Sequence, residues 1–335
     1  MDMKTMIRSF PRQFFEQYDS LKNEELDLNK FKDIKNIVII GMGGSAISGD
    51  LVNSLVKNEM KIPIHVVRDY SIPAWADKNT LFIFSSYSGN TEETISCFDV
   101  ALKKSNMILS VTTGGTLQQL SNDNNIKIFS LPRGYQPRAA LGFSIITLLV
   151  IFNNLNLLKV EFIENVLDAV TTLDEFYDAS CKQDGLAFDI AKDLNDSVIA
   201  IYGVYQSTEH VASRFRAQIA ENSKILACFN VLPEMNHNEI EAWNENQFGN
   251  LKKTIVWISD KDDHPRNLQR IKITSELLND IGVKNIFISI DGSNYIERCL
   301  KTLFLNDWIS YYLAEINSVD PVPVNRIMDL KNKMS

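Results

Sequence analysis

Short apolar runs of four to six residues, each closed by a turn and most followed by helix-forming sequence, recur along this chain in two rounds. The first round contains Lys35 to Ile40, Ile62 to Val67, Leu81 to Phe84, Met107 to Thr112 and Ile126 to Phe129. The second contains Val198 to Tyr202, Thr254 to Ser259 and Asn285 to Ile290, alternating with helical patterns over Glu209 to Asn222, Leu268 to Ile281 and Tyr295 to Ile316. Strands separated by helices, with little polar alternation of their own, form parallel sheets covered on both faces. The sequence therefore predicts an α/β protein of two similar doubly wound halves.

A length of 335 residues suits two ordinary domains. Ile7, Phe10, Phe14, Tyr18 and Leu21 predict an amphipathic helix laid across the first domain, and Ala139 to Phe152 predicts a buried helix too short to span a bilayer. Leu157 to Leu194 reads as linking helices. The expected division is 1–155, 156–318 and a tail, 319–335, in which Asp320-Pro-Val-Pro-Val stops a helix before a short last one. The polar stretch Asn244 to Lys253 reads as a mobile loop.

A net charge of −8 and a pI near 5.2 argue against nucleic acid, and no basic run suggests a membrane surface. Cys97, Cys181, Cys228 and Cys299 are scattered without metal or disulfide spacing, and the amino terminus lacks a signal-peptide core. A cytoplasmic protein acting on a small molecule is the expectation.

Two turns carry the binding signals. Gly41-x-Gly43-x-x-Ala46 fits a dinucleotide fingerprint, with Asp69 available to a ribose, but such glycines serve any ligand that approaches the backbone closely, and Ser45 adds a hydroxyl at a helix start. Ser85-Ser-Tyr-Ser-Gly-Asn-Thr-Glu-Glu-Thr94 crowds hydroxyls ahead of a helix, a setting for a phosphate. A capping box of Asn90 with Glu93 would explain two of these residues and leave Ser86, Ser88 and Thr91 unexplained. Elsewhere, His237 stands in a polar loop sixteen positions after Glu221, a pairing that suggests acid/base chemistry. Glu234, Glu239 and Glu241 flank His237 as rival carboxylates. His65, His210 and His264 have no matching context.

Gly-Met-Gly-Gly-Ser and Ser-Tyr-Ser-Gly-Asn-Thr-Glu-Glu-Thr together resemble the sugar isomerase (SIS) domain. With Pro137-Arg-Ala-Ala, Glu221-Asn, Glu234-Met-Asn-His-Asn-Glu and Asp320-Pro-Val-Pro, the chain from about residue 30 to its end resembles the bifunctional phosphoglucose/phosphomannose isomerases. The resemblance implies two SIS-type domains and an aldose–ketose isomerase of carbohydrate metabolism (glycolysis and gluconeogenesis). It would interconvert glucose 6-phosphate or mannose 6-phosphate with fructose 6-phosphate, without metal or other cofactor. Gly44, Ser45, Ser86, Ser88 and Thr91 would hold the phosphate, and Arg138 would stabilise an enediolate. Glu221 would carry the proton between C1 and C2, and His237, assisted by Lys331, would open the ring. The resemblance also implies a homodimer whose partner subunit supplies the histidine. Another phosphosugar isomerase, a non-catalytic phosphosugar-binding protein and a dinucleotide-dependent oxidoreductase remain as alternatives.

Overall fold

The computed structural model describes residues 1–244 and 251–334; residues 245–250, inside the stretch read as a loop, lie outside the described residues. The chain divides into two compact units, Arg8–Thr171 together with Met1, and Asp2–Ile7 together with Thr172–Ser335.

The amino terminus forms two helices, α1 (Met3–Arg8) and α2 (Phe10–Leu21), rather than one. Pro11 lies in the first turn of α2. In a continuous helix it would lack the N–H owed to the Ile7 carbonyl and its ring would clash there, so the chain breaks at Ser9. α1 belongs to the second unit and α2 to the first, which departs from the expected single helix across the first domain.

In the first unit the elements run β1 (Asn36–Ile40), α3 (Gly43–Val56), β2 (Ile64–Val67), β3 (Thr80–Ser86), α4 (Glu92–Ser96), α5 (Phe98–Lys104), β4 (Ile108–Thr112), α6 (Gly115–Asp123), β5 (Lys127–Ser130), α7 (Leu141–Asn154) and α8 (Val160–Thr171). The five strands are all parallel, in the order β2-β1-β3-β4-β5. Every residue of β3 and β4 is buried, as expected of inner strands covered on both faces.

The apolar stretch near residue 145 forms α7, which is buried from Leu141 through Phe152. Each fully buried Leu, Ile or Phe there contributes roughly 1.5–3 kcal/mol relative to exposure. α2 lies against α7 so closely that a Cβ on Gly142 would come within 2.9 Å of the Phe14 ring. Gln13 accepts from the Gly142 N–H at 3.0 Å and donates to the Ala139 carbonyl at 2.7 Å, satisfying backbone groups at the start of α7. α8 packs its apolar face (Phe162, Ile163, Val166, Val170) on α2 and α7. That burial puts the change of unit at Thr171–Thr172, beyond the boundary near residue 155 read from the sequence.

The second unit continues with α9 (Leu173–Phe176), α10 (Leu186–Leu194), β6 (Ser197–Val204), α11 (Glu209–Gln218), β7 (Ala227–Leu232), β8 (Lys252–Ile258), α12 (Pro265–Asn279), β9 (Lys284–Ile288), α13 (Tyr295–Ile316) and α14 (Asn325–Met334). Among the described residues its strands are parallel, in the order β7-β6-β8-β9.

Alternation along β6 separates the two faces of this sheet. Ala200, Tyr202 and Val204 point into a core shared with Met235, Ile271 and Leu278, so α12 and the segment after β7 cover that face. Gly203 points the other way, where an added Cβ would meet Ala212 of α11 at 3.0 Å. α11 in turn packs on α13. Among the described residues no helix is long and apolar enough to cross a membrane.

Candidate active site

In the first sheet the chain leaves β1 for β2 on one side and continues from β3 to β4 and β5 on the other. This reversal opens a crevice beyond the carboxyl ends of β1 and β3, the usual ligand position in such sheets. Both turns singled out in the sequence meet there.

Gly41 follows β1 and passes the Ser85 carbonyl, which lies 2.7 Å from where a Cβ would stand. Gly44 is held the same way against the Pro137 carbonyl, at 2.8 Å, so the start of α3 is wedged beside Arg138. These glycines are therefore required for packing. The buried Ser45 hydroxyl accepts the Tyr87 N–H at 3.2 Å, joining the two turns.

Ser86 Oγ and Thr91 Oγ1 share a hydrogen bond of 2.8 Å, and the Gly89 N–H donates to Ser86 Oγ at 3.1 Å. Ser88 is exposed and accepts the Asn90 N–H at 3.2 Å. Gly89 has φ +70°, and a Cβ on it would lie 1.7 Å from the Gly114 carbonyl. Tyr87 donates its hydroxyl to the Pro132 carbonyl at 2.7 Å, and burial raises its pKa above the usual phenol range. The turn is thus fixed on three sides before any ligand arrives.

The helix after this turn, α4, has only five residues and no side-chain cap, so the longer α3 supplies the stronger dipole at the crevice. Asn90 does not act in a capping box. Its Oδ1 accepts from the backbone N–H and the hydroxyl of Thr116, at 2.9 and 3.0 Å, tying the turn to α6. Arg138 is 6% exposed in a short 3₁₀ turn and donates to Gln136 Oε1 at 3.4 Å. The first unit thereby brings Gly44, Ser45, Ser86, Ser88, Thr91 and the Arg138 turn to one end of its sheet.

In the second unit, the helix expected over Glu209 to Asn222 ends at Gln218 and continues as a π turn, Ile219–Ser223. Glu221 sits half-buried in that turn, between helix α11 and Lys224, whose φ of +59° ends the helix. Single π turns within helices are rare and frequent at functional sites. Asn222 donates to Ser310 Oγ at 2.9 Å and Ser223 to the Ser310 carbonyl at 2.7 Å, fixing the turn on α13.

His237 ends a 3₁₀ turn, Glu234–His237, and is exposed. Met235 and Asn236 fasten this turn, Met235 by full burial and Asn236 by donating to Thr274 Oγ1 of α12 at 2.9 Å. Glu239 accepts from Tyr202 at 2.6 Å and from Asn230 at 2.5 Å, and Glu234 accepts from Asn238 at 2.8 Å. Two of the rival carboxylates thus have structural partners. The Glu221 turn lies on the α11 and α13 face of the sheet and the His237 turn on the α12 face. Within one chain the sheet stands between them. Lys331 lies on α14, which has no buried residue. His264 accepts the Arg266 N–H at the start of α12, and His65 packs edge-on against Trp75, so both have structural duties. Among the described residues no three His, Cys, Asp or Glu side chains group as metal ligands.

Sequence reasoning missed Tyr87 as the pin of the cradle, the Gly114-Gly115 turn beneath it, and Ser310. Gly114-Gly115 directly after a strand was the one available signal.

Residues 30–152 match the SIS domain family, and residues 183–334 match the family described as the bacterial phospho-glucose isomerase C-terminal SIS domain. The chain is 39% identical over 334 residues to the bifunctional phosphoglucose/phosphomannose isomerase of Caldicellulosiruptor bescii, covering 98% of each chain. It is 37% identical over 301 residues to the enzyme of the same name from Aquifex aeolicus, covering 90% of each. Its fold superimposes on the C-terminal domain of glucosamine-fructose-6-phosphate aminotransferase from Francisella tularensis with a TM-score of 0.74, at 17% identity, covering 95% of this chain and 96% of that one. With a hydroxyl-lined crevice on a SIS-type sheet and near full-length identity to such relatives, the chain belongs to the bifunctional phosphoglucose/phosphomannose isomerase family.

Proposed function

We propose that the protein interconverts glucose 6-phosphate and mannose 6-phosphate with fructose 6-phosphate through a cis-enediol. The observation that carries this reading is the prefixed cradle of Ser45, Ser86, Ser88 and Thr91 at the reversal point of the first sheet. Hydroxyls there, with the start of α3, suit a phosphate dianion. Hydrogen bonds to a charged group contribute about 1.5–3 kcal/mol each. Binding energy spent on the phosphate positions the remote carbons for reaction.

The reaction moves one proton between neighbouring carbons, so an acid, a base and a positive charge suffice and no cofactor is invoked. Glu221 transfers the proton between C2 and C1. Arg138 stabilises the enediolate, and His237 with Lys331 opens and closes the ring. Rotation of the open chain about C2–C3 presents the C2 hydrogen of either epimer to Glu221.

The separation of Glu221 and His237 by their own sheet supports a homodimer in which each His237 serves the partner subunit's site. Scattered cysteines without disulfide spacing, Cys228 exposed among them, suit a reducing cytoplasm. A coupled assay for fructose 6-phosphate tests the activity: both aldose 6-phosphates are expected to turn over. Failure of both would move the cradle to a different phosphosugar.

A further inference from the structure

The contact between α11 and α13 contains a line of buried polar bonds. Arg214 pairs with Asp307 through two bonds, of 2.6 and 2.9 Å, and Gln218 donates to Asp307 Oδ1 at 2.7 Å. One turn further along both helices, Ser310 Oγ accepts from Asn222 at 2.9 Å while donating to the Asp307 carbonyl at 2.8 Å. Ser223 closes the line on the Ser310 carbonyl at 2.7 Å. All six side chains are at most 4% exposed.

A hydrogen-bonded line between two helices holds one register, because each donor meets its acceptor only there. The line runs along α11 and ends on the two residues that follow Glu221, inside the π turn. Its last members, Asn222 and Ser223, point into the core, and Glu221 is the half-buried residue beside them. Fixing its neighbours to Ser310 fixes where the Glu221 backbone stands and the direction its side chain leaves the turn.

We infer that Asn222, Ser223 and Ser310 are positioning residues for the Glu221 carboxylate, an inference that rests on Glu221 being the base of the proposed reaction. General-base transfer depends on placing the carboxylate within hydrogen-bond reach of the carbon-bound proton, and a displacement of about 1 Å costs about 100-fold in rate. The phosphate cradle belongs to the other unit and does not share these bonds.

The test compares Ser310→Ala, Asn222→Leu and Ser223→Ala with the unaltered full-length protein. For each, fructose 6-phosphate binding is titrated by calorimetry, and kcat is expressed per binding-competent site. The expected result is a kcat per site about 10- to 100-fold lower for Ser310→Ala and Asn222→Leu, with KM and fructose 6-phosphate affinity within about twofold of the parent. A lower fraction of competent sites with unchanged kcat per site would show that the line only holds the fold together, and would overturn the inference. Parental kcat per site in all variants would overturn it equally. If Ser310→Ala and Asn222→Leu do not fold, Ser223→Ala, which removes a single hydroxyl, decides by the same criterion. Glu221→Gln is measured alongside. Parental activity in that variant would fail the proposed base itself, whereas its loss beside unimpaired Ser310 and Asn222 variants would fail only the positioning role.

Discussion

The two sheets reverse direction in the same way, between β1 and β3 in one and between β6 and β8 in the other, yet the two reversal points are finished in opposite ways. In the first, glycines bring backbone close and serine and threonine hydroxyls line the opening. In the second, Thr208 turns its hydroxyl inward to the Ile258 carbonyl at 2.6 Å, and Arg298 is locked onto Asp260 at 2.7 and 2.8 Å. The cavity left there is about 10 Å³, room for at most one water. Burial pushes the pKa of Cys299 beside it up to about 12, and burial raises that of the Tyr295 hydroxyl as well, so neither yields a proton near neutral pH. One topology thus provides one reversal point lined by hydroxyls and one filled with a buried ion pair. In the proposed reaction the second unit contributes instead from the end of α11 and the turn after β7, as expected where function is placed on a fold by its side chains.

The largest expected effect concerns the two proposed proton carriers of the second unit. Glu221→Gln and His237→Gln should each lower kcat by about 10²- to 10⁴-fold. Mixing the two inactive proteins under conditions of subunit exchange should restore activity, because one mixed site keeps both native groups; no recovery despite exchange would contradict the shared site. Next, Asp260→Ala leaves Arg298 buried without its main partner and should cost about 3–5 kcal/mol in urea unfolding while leaving KM unchanged. A raised KM would mean that the second reversal point binds substrate after all. The smallest effect sharpens the contrast directly. Ser86→Ala should weaken sugar-phosphate binding by about 1.5–3 kcal/mol, whereas Thr208→Val should cost about 1–3 kcal/mol of stability and no affinity.

The parallel α/β layers were legible because buried strands and helices leave long apolar runs, and the structure bears out the first sheet, three strands of the second and the buried helix α7; the edge strand β7, whose middle is only partly buried, was not among the runs read as strands. Locally, less could be read. A break at Pro11 was written in the sequence, but the assignment of α1 to the second unit depends on tertiary packing of Met3, Met6 and Ile7. The π turn around Glu221 has no signal in periodicity, since Ile219 to Ser223 fits an ordinary helix. Asn90 matched a capping box by spacing alone, while the structure spends it on Thr116, 26 positions away. The hydroxyl cradle was visible because Ser86, Ser88 and Thr91 crowd one turn and Ser45 sits in the glycine turn of another strand. The seam that fixes Glu221 was not, because Asn222 and Ser310 lie 88 positions apart.

The most direct test follows the substrate hydrogen itself, by incubating glucose 6-phosphate and mannose 6-phosphate in D₂O with the parent protein and with Glu221→Gln and reading C1 of fructose 6-phosphate by NMR. The account predicts that the parent converts both sugars and places solvent deuterium at C1. Glu221→Gln should bind fructose 6-phosphate with parental affinity and neither convert nor exchange. Deuterium entering C1 at the parental rate in Glu221→Gln would contradict the account, because another group would then be carrying the proton.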